Sequence, residues 1–146
     1  KGNKNGIIWW NLLDGWPQIS DAVVDYYYNK KIAYDYIKRS QQPFAIMASE
    51  ISDWTVKIVA SNDTLKRVAG SFSVKDAEKE TVVLQGDFIV KENDNYILGE
   101  IPVMYSKKGM LLIEWKIDGK RYFNHYLYGY PAFDLNDYRR WYEKIK

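Results

Sequence analysis

Leu111-Leu112-Ile113-Glu114-Trp115-Lys116-Ile117-Asp118-Gly119-Lys120-Arg121-Tyr122-Phe123-Asn124-His125-Tyr126-Leu127-Tyr128 reads as two β-strands folded back on each other. Leu111, Ile113, Trp115 and Ile117 fall on alternate positions, the period of a strand with one face in a core. Asp118-Gly119 supplies the two residues that tolerate positive φ in a tight hairpin turn. The same period of two runs back to Pro43. Trp54, Val56, Ile58 and Ala60 share a face, with Thr55 and Lys57 opposite. Val68, Phe72 and Val74 alternate with Ala69, Ser71 and Ser73, and Val82, Leu84, Phe88 and Val90 follow, with Gly86 at an expected bulge. With residues 44–51 and 97–105 this makes seven short strands in about a hundred residues, the spacing of a β-sandwich. The fold class is therefore mainly β.

Composition limits what such a domain does. The chain has 146 residues, 47% hydrophobic and 27% charged. A chain of that size buries about two-thirds of its unfolded surface and needs no staple. There is no cysteine and a single histidine, His125, which removes disulfides, thiolate zinc sites, a cysteine nucleophile and multi-histidine metal sites. No cofactor or metal is expected. A net charge of +2, with no basic run longer than two, argues against nucleic acid as a partner. No apolar run reaches the roughly 18 residues of a membrane span, so no membrane partner is expected. The unusual quantity is aromatic: six Trp, thirteen Tyr and five Phe, 16% of the chain. That load suits a β core, a carbohydrate-contacting surface, or both.

Residues 1–42 have a different pattern. Residues 6–13 form an apolar run, as in a strand buried on both faces. Asp14-Gly15-Trp16-Pro17 breaks it with turn chemistry. A helix is expected over residues 29–39, capped by Asn29, with Ile32, Ala33, Tyr36 and Ile37 on one face and Lys38 and Arg39 suiting its C-terminal dipole. Strand–loop–helix is half of a βα unit. The chain lacks an initiator Met and a signal-peptide pattern, so it reads as a piece of something larger whose compartment its first residues do not give. At the other end residues 134–145 read as a short helix, capped by Asp134 or Asn136, with Tyr138, Trp141, Tyr142 and Ile145 on an aromatic face. The turn Ala77-Glu78-Lys79-Glu80 reads as solvated charge.

Catalytic chemistry is hard to assemble from these residues. No pair of carboxylates is singled out for glycoside hydrolysis, and His125, inside a strand, reads as packed and hydrogen-bonded near the sandwich edge. The expected catalytic set is none. Trp9-Trp10-Asn11-Leu12-Leu13-Asp14-Gly15-Trp16-Pro17 is the exception. Trp and Asp at the carboxyl end of a buried parallel strand is where α/β barrels place ligand-facing groups. A Trp ring stacks on the apolar face of a sugar, and an Asp accepts hydroxyl hydrogen bonds. The other reading is that the tryptophans pack in a core and Asp14 ties the turn.

The stretch from Gly6 to Pro17, then Ser20, Val24-Asp25-Tyr26-Tyr27 and Lys31-x-Ala33-Tyr34, resembles the end of the catalytic barrel in glycoside hydrolase family 2, in its β-mannosidase branch. Asn124-His125-Tyr126-Leu127-x-Gly129-x-Pro131-x-Phe133 followed by Tyr138 and Trp141, and Ser61-Asn62-Asp63, resemble the closing segment and the first immunoglobulin-like domain of the same enzymes. Leu13 stands where the pattern has Asn, so no polar contact is carried over to that position. The resemblance implies that residues 1–42 are the last βα unit, an incomplete remnant of a (β/α)8 barrel. Residues 43–146 would be an immunoglobulin-like β-sandwich accessory domain with a C-terminal helix. It implies a non-catalytic C-terminal part of an exo-acting β-glycosidase that retains configuration and cleaves terminal β-linked sugars. Both catalytic glutamates of the family sit on earlier barrel strands, so the chain alone is expected to be inactive. Trp10, Asp14 and Trp16 would be substrate-binding in the intact parent. The expected partners are the upstream barrel and a terminal β-linked sugar, and for the isolated chain a second copy, paired through the apolar run. The resemblance suits a periplasmic or secreted bacterial parent. The alternative is a free-standing carbohydrate-binding or adhesion module, in which the tyrosines face sugar instead of packing at a domain interface.

Overall fold

The computed structural model describes residues 8–104 and 106–145. The chain forms two compact units, Lys1–Gln42 and Pro43–Lys146. Gly6 and Ile7 of the first expected strand, and Tyr105 at the end of the fifth sandwich strand, lie outside the described residues.

In the first unit the expected buried strand does not form among the described residues. Ile8, Trp9, Trp10, Leu12 and Leu13 are exposed, and among the described residues the run makes a single parallel bridge, Leu13 with Val24. Val24 N–H donates to Leu12 O at 2.9 Å and Asp14 N–H to Val24 O at 3.1 Å. An apolar run becomes a buried strand only when neighbours cover both faces and both edges, and here one side alone finds a partner. Ala22 and Val23 are the buried residues of this turn. Helix α1 spans Ile32–Ser40, with Lys38 and Arg39 in its last turn. Its N-cap is Lys31, which makes no side-chain cap bond, so Asn29 does not cap it. Asn29 lies in a separate turn, where its backbone N–H and Nδ2 donate to the Asp25 carboxylate at 2.7 and 3.0 Å. The shared face of Ile32, Ala33, Tyr36 and Ile37 buries no residue.

The second unit is the sandwich. Its strands are β1 Phe44–Ala48, β2 Thr55–Asn62, β3 Val68–Asp76, β4 Val82–Val90, β5 Asp94–Pro102, β6 Gly109–Ile117 and β7 Lys120–Tyr128. They pair antiparallel into a three-stranded sheet, β1-β2-β5, and a four-stranded sheet, β4-β3-β6-β7. Ile46, Val56, Ile58, Ala60, Phe72, Val74, Phe88, Val90, Leu111, Ile113 and Trp115 meet between the sheets, which is the alternation the sequence carries. Asn124 Nδ2 donates to Ile46 O at 3.2 Å and ties the two sheets at the β7 edge.

The β6–β7 turn has Asp118 at φ 50° and Gly119 at φ 77°, with Ile117 opposite Lys120. These are the two positive-φ residues of a primed hairpin turn. Trp54 departs from expectation. It lies before β2 in a tight turn, at φ 62° and exposed, so the inward row begins at Val56. Gly86 is in register opposite Phe72, and the bulge falls at Val83, between the pairs Val74↔Leu84 and Lys75↔Val82. Gly86 instead lies beside the Phe72 ring, which a Cβ at this position would meet at an ordinary contact distance of 3.4 Å.

Helix α2, Leu135–Tyr142, is capped by Asp134, whose carboxylate accepts from the Asn136 and Asp137 N–H groups. Its aromatic face packs Trp141 and the following Ile145 on Met110, Leu112, Phe123 and Leu127. These strand residues alternate with the core residues of β6 and β7, so α2 covers the outer face of the four-stranded sheet. That second cover explains why β6 is apolar on both faces. The turn after β3 is not merely solvated: Ala77 is buried, Glu78 accepts from the Trp141 indole at 2.6 Å, and Lys144 Nζ donates to Ala77 O at 2.8 Å.

Glu78 is held below the usual carboxyl range by the Trp141 indole and then by Arg140, and Glu80 by Lys144. A carboxyl depressed in the folded state adds stability above its unfolded pKa and loses it as pH falls through the folded one. The docking of α2 should therefore weaken below about pH 4. The exchange-protected indole N–H of Trp141 should lose protection there, and Glu78→Gln should remove much of that acid dependence. Protection that is independent of pH would show that apolar packing alone holds the helix.

Candidate functional site

The three residues of the candidate sugar site occupy one turn of the first unit, in two different environments. Trp10 and Trp16 are 80% and 64% exposed, and Asp14 is 2% exposed. The Asp14 carboxylate accepts the Ser20 hydroxyl, forms an ion pair with Lys31 Nζ at 2.9 Å and receives a longer bond from Gln18 at 3.4 Å. Lys31 Nζ also donates to Ser20 O at 3.1 Å, and Ser20 Oγ accepts from Ala22 N–H at 3.0 Å. The loop over residues 14–20 is thus closed by a buried carboxylate on the start of the helical segment. Ser20, and then Lys31, hold Asp14 below the usual carboxylate range, so it is ionised at neutral pH and complements the cation beside it. Asp14 closes this loop, which carries Trp16, while Trp10 lies in the segment leading into it; both indole rings are exposed.

Ser20 and Lys31 are the residues that sequence reasoning left without a role. Both lie in the quoted motif, but nothing in their spacing says that they converge on Asp14. Tyr26, Tyr27 and Tyr28 follow, all exposed, on the turn held by Asp25. In the sandwich the aromatic surplus is largely structural. Trp115 stacks on Tyr122 with ring centres 5.8 Å apart, and Tyr126 and Tyr128 pack on the core. His125 lies edge-on to Tyr142 at 5.0 Å, in the packing beneath α2. Among the described residues no group of three His, Asp or Glu is placed to hold a metal ion, and no helix is long and apolar enough to cross a membrane.

These features define an immunoglobulin-like β-sandwich protein that also carries a turn-and-helix unit presenting two tryptophan rings. Comparison with known proteins takes the description further. The chain is 31% identical over 100 residues to β-mannosidase B of Emericella nidulans, which covers 60% of this chain and 12% of that protein. It is 40% identical over 52 residues to β-mannosidase B of Aspergillus niger, covering 35% of this chain and 6% of that one. The crystal structure of β-D-mannosidase from Dictyoglomus thermophilum superimposes with a TM-score of 0.63 at 21% identity, over 82% of this chain and 15% of that one, a likeness of fold. No protein-family model matches the chain. The chain is thus related in sequence to a part of these β-mannosidases. It spans about an eighth or less of the curated relatives it matches.

Proposed function

We propose that this chain is a non-catalytic part of an exo-acting, retaining β-glycosidase of the β-mannosidase type. In it residues 1–42 complete a catalytic barrel, and the sandwich packs against that barrel and supports it. Trp10 and Trp16 wall the pocket for a terminal β-linked sugar, and Asp14 holds the loop that carries Trp16. The observation that carries this reading is a pair of exposed indole rings, Trp16 on a loop fastened by the ion pair of buried Asp14 with Lys31, and Trp10 in the segment leading into it. Exposing two tryptophans is costly, and fastening the loop lowers the entropy lost when a sugar stacks on them. The packing of most sandwich aromatics in or against the two apolar clusters favours this reading over a free-standing carbohydrate-binding module.

Retaining hydrolysis needs a nucleophile and an acid/base carboxyl about 5–5.5 Å apart, and nothing in this sequence singles out such a pair. Purified chain should release no aryl alcohol from aryl β-mannosides or β-glucosides. Turnover that survives repurification and follows the protein peak would overturn the non-catalytic reading.

A further inference from the structure

The edge of the four-stranded sheet has properties that the glycosidase reading does not use. Among the described residues β4 has a strand neighbour on one side only, β3. An open edge recruits other strands unless it is short, charged, bulged or broken by proline. The other sheet edges carry such protection. β1 is five residues long and follows Pro43, β5 contains Asp94, Glu100 and Pro102, and β7 starts with Lys120 and Arg121. β4 is nine residues long and has one charge, Asp87. Its bulge at Val83 lies near one end and leaves residues 84–90 regular. Val82, Val83 and Ile89 are exposed along it, and Ile89 is 63% exposed.

The residues of this edge are also self-complementary. An antiparallel copy centred on Gly86 brings Gln85 opposite Asp87 of the copy, Leu84 opposite Phe88, and Val83 opposite Ile89. Each apolar residue meets an apolar one, and each Asp87 carboxylate meets an amide. Centring on Asp87 would place two carboxylates face to face. Centring on Gln85 would place Asp87 opposite Val83. Of these three registers the one centred on Gly86 avoids both penalties, and with no side chain on the axis the backbones approach freely. Phe88 and Val90 are buried on the core face, which Gly86 shares by alternation, while Gln85 and Asp87 are exposed on the other, so pairing would extend both the sheet and its inner apolar layer.

We infer that β4 is a homotypic docking edge, and that two copies of this chain pair antiparallel through it, about a twofold axis at Gly86, to make one eight-stranded sheet. This does not rest on the glycosidase reading. The cysteine-free sequence makes the test direct. Opposed Cα atoms in an antiparallel pair lie about 4.5–5.5 Å apart, within disulfide reach. Gly86→Cys, whose Cβ has room at 3.4 Å from Phe72, should therefore form a disulfide-linked dimer under mild oxidation. Gln85→Cys mixed with Asp87→Cys should form the mixed dimer. Glu92→Cys, which this register holds roughly 40 Å from its copy, should not.

Sedimentation of uncrosslinked protein supplies an arm that needs no cysteine. Gln85→Lys creates two opposite-charge pairs across the axis and should tighten the dimer, and Gln85→Asp creates two like-charge pairs and should loosen it. Each change should fall in the range of about two- to thirtyfold in Kd. A chain that stays monomeric up to roughly 1 mM overturns the inference. So does a dimer, such as one formed by the exposed apolar run near Trp10, that crosslinks no faster at Gly86→Cys than at Glu92→Cys. A same-direction response to the two Gln85 substitutions overturns it as well.

Discussion

Asn62→Ala is expected to cost the sandwich about 3 kcal/mol of unfolding free energy, read by urea denaturation. Asn62 ends β2 and is fully buried. Its Nδ2 donates to Lys66 O at 2.7 Å and Lys91 O at 2.9 Å, with Val90 O at 3.4 Å. Its Oδ1 accepts from Thr64 N–H at 3.0 Å and Thr64 Oγ1 at 2.7 Å. One side chain therefore satisfies both the β2–β3 turn and the end of β4, and truncation orphans groups in both places. Asn62→Asp should be worse at neutral pH, because a carboxylate would face carbonyl acceptors where the amide donated. Such a group has its folded pKa raised. Its folded state is least penalised below the unfolded value of about 3.9 and loses stability as pH rises above it. The Asp variant should thus lose ground to Asn as pH goes from about 4 to 8. A loss below about 1 kcal/mol for Asn62→Ala would mean that water replaces these bonds.

Trp115 and Trp10 should respond to alanine in opposite ways. Trp115 is buried at the centre of the sandwich and stacked on Tyr122, so Trp115→Ala should cost about 3–5 kcal/mol through lost burial and the cavity left behind. Trp10→Ala, at an exposed ring, should shift stability by no more than about 0.5 kcal/mol. In a full-length enzyme containing this segment, the same Trp10 change should lower kcat/KM by about 1–3 kcal/mol of transition-state binding. Comparable stability losses at both positions, with normal kinetics for the folded Trp10 variant, would return Trp10 to a packing role.

The contrast between these two tryptophans shows where sequence reasoning succeeds. Trp115 sits in a strict alternation beside an Asp-Gly turn, and period and turn chemistry are local properties that a few neighbouring residues impose. The hairpin, the seven strands and a polar cap at Asp134 or Asn136 were legible for that reason, and the structure selects Asp134. Trp54 shares the same apparent period, but the turn before β2 takes it out of the strand. Gly86 looked like a bulge because glycine relaxes local sterics, whereas Phe72 on the neighbouring strand is what occupies the space beside it. At the candidate site the loop chemistry around Asp14 was visible, while its two main partners came from positions 6 and 17 residues away.

By itself, then, the sequence determined the β period, the β6–β7 hairpin and the polar turn that carries Trp16, since each depends on backbone preference and side-chain alternation within a few residues. Only the tertiary structure decided which apolar runs are covered. Residues 8–13 are as apolar as β6, yet they stay exposed, while β6 is enclosed between the sandwich core and α2. It also converted Glu78 from a surface charge into the anchor of Trp141, and Ser20 and Lys31 into the clamp on Asp14. Burial and long-range hydrogen bonds belong to pairs of segments, and their energy exists only once the chain has brought those segments together.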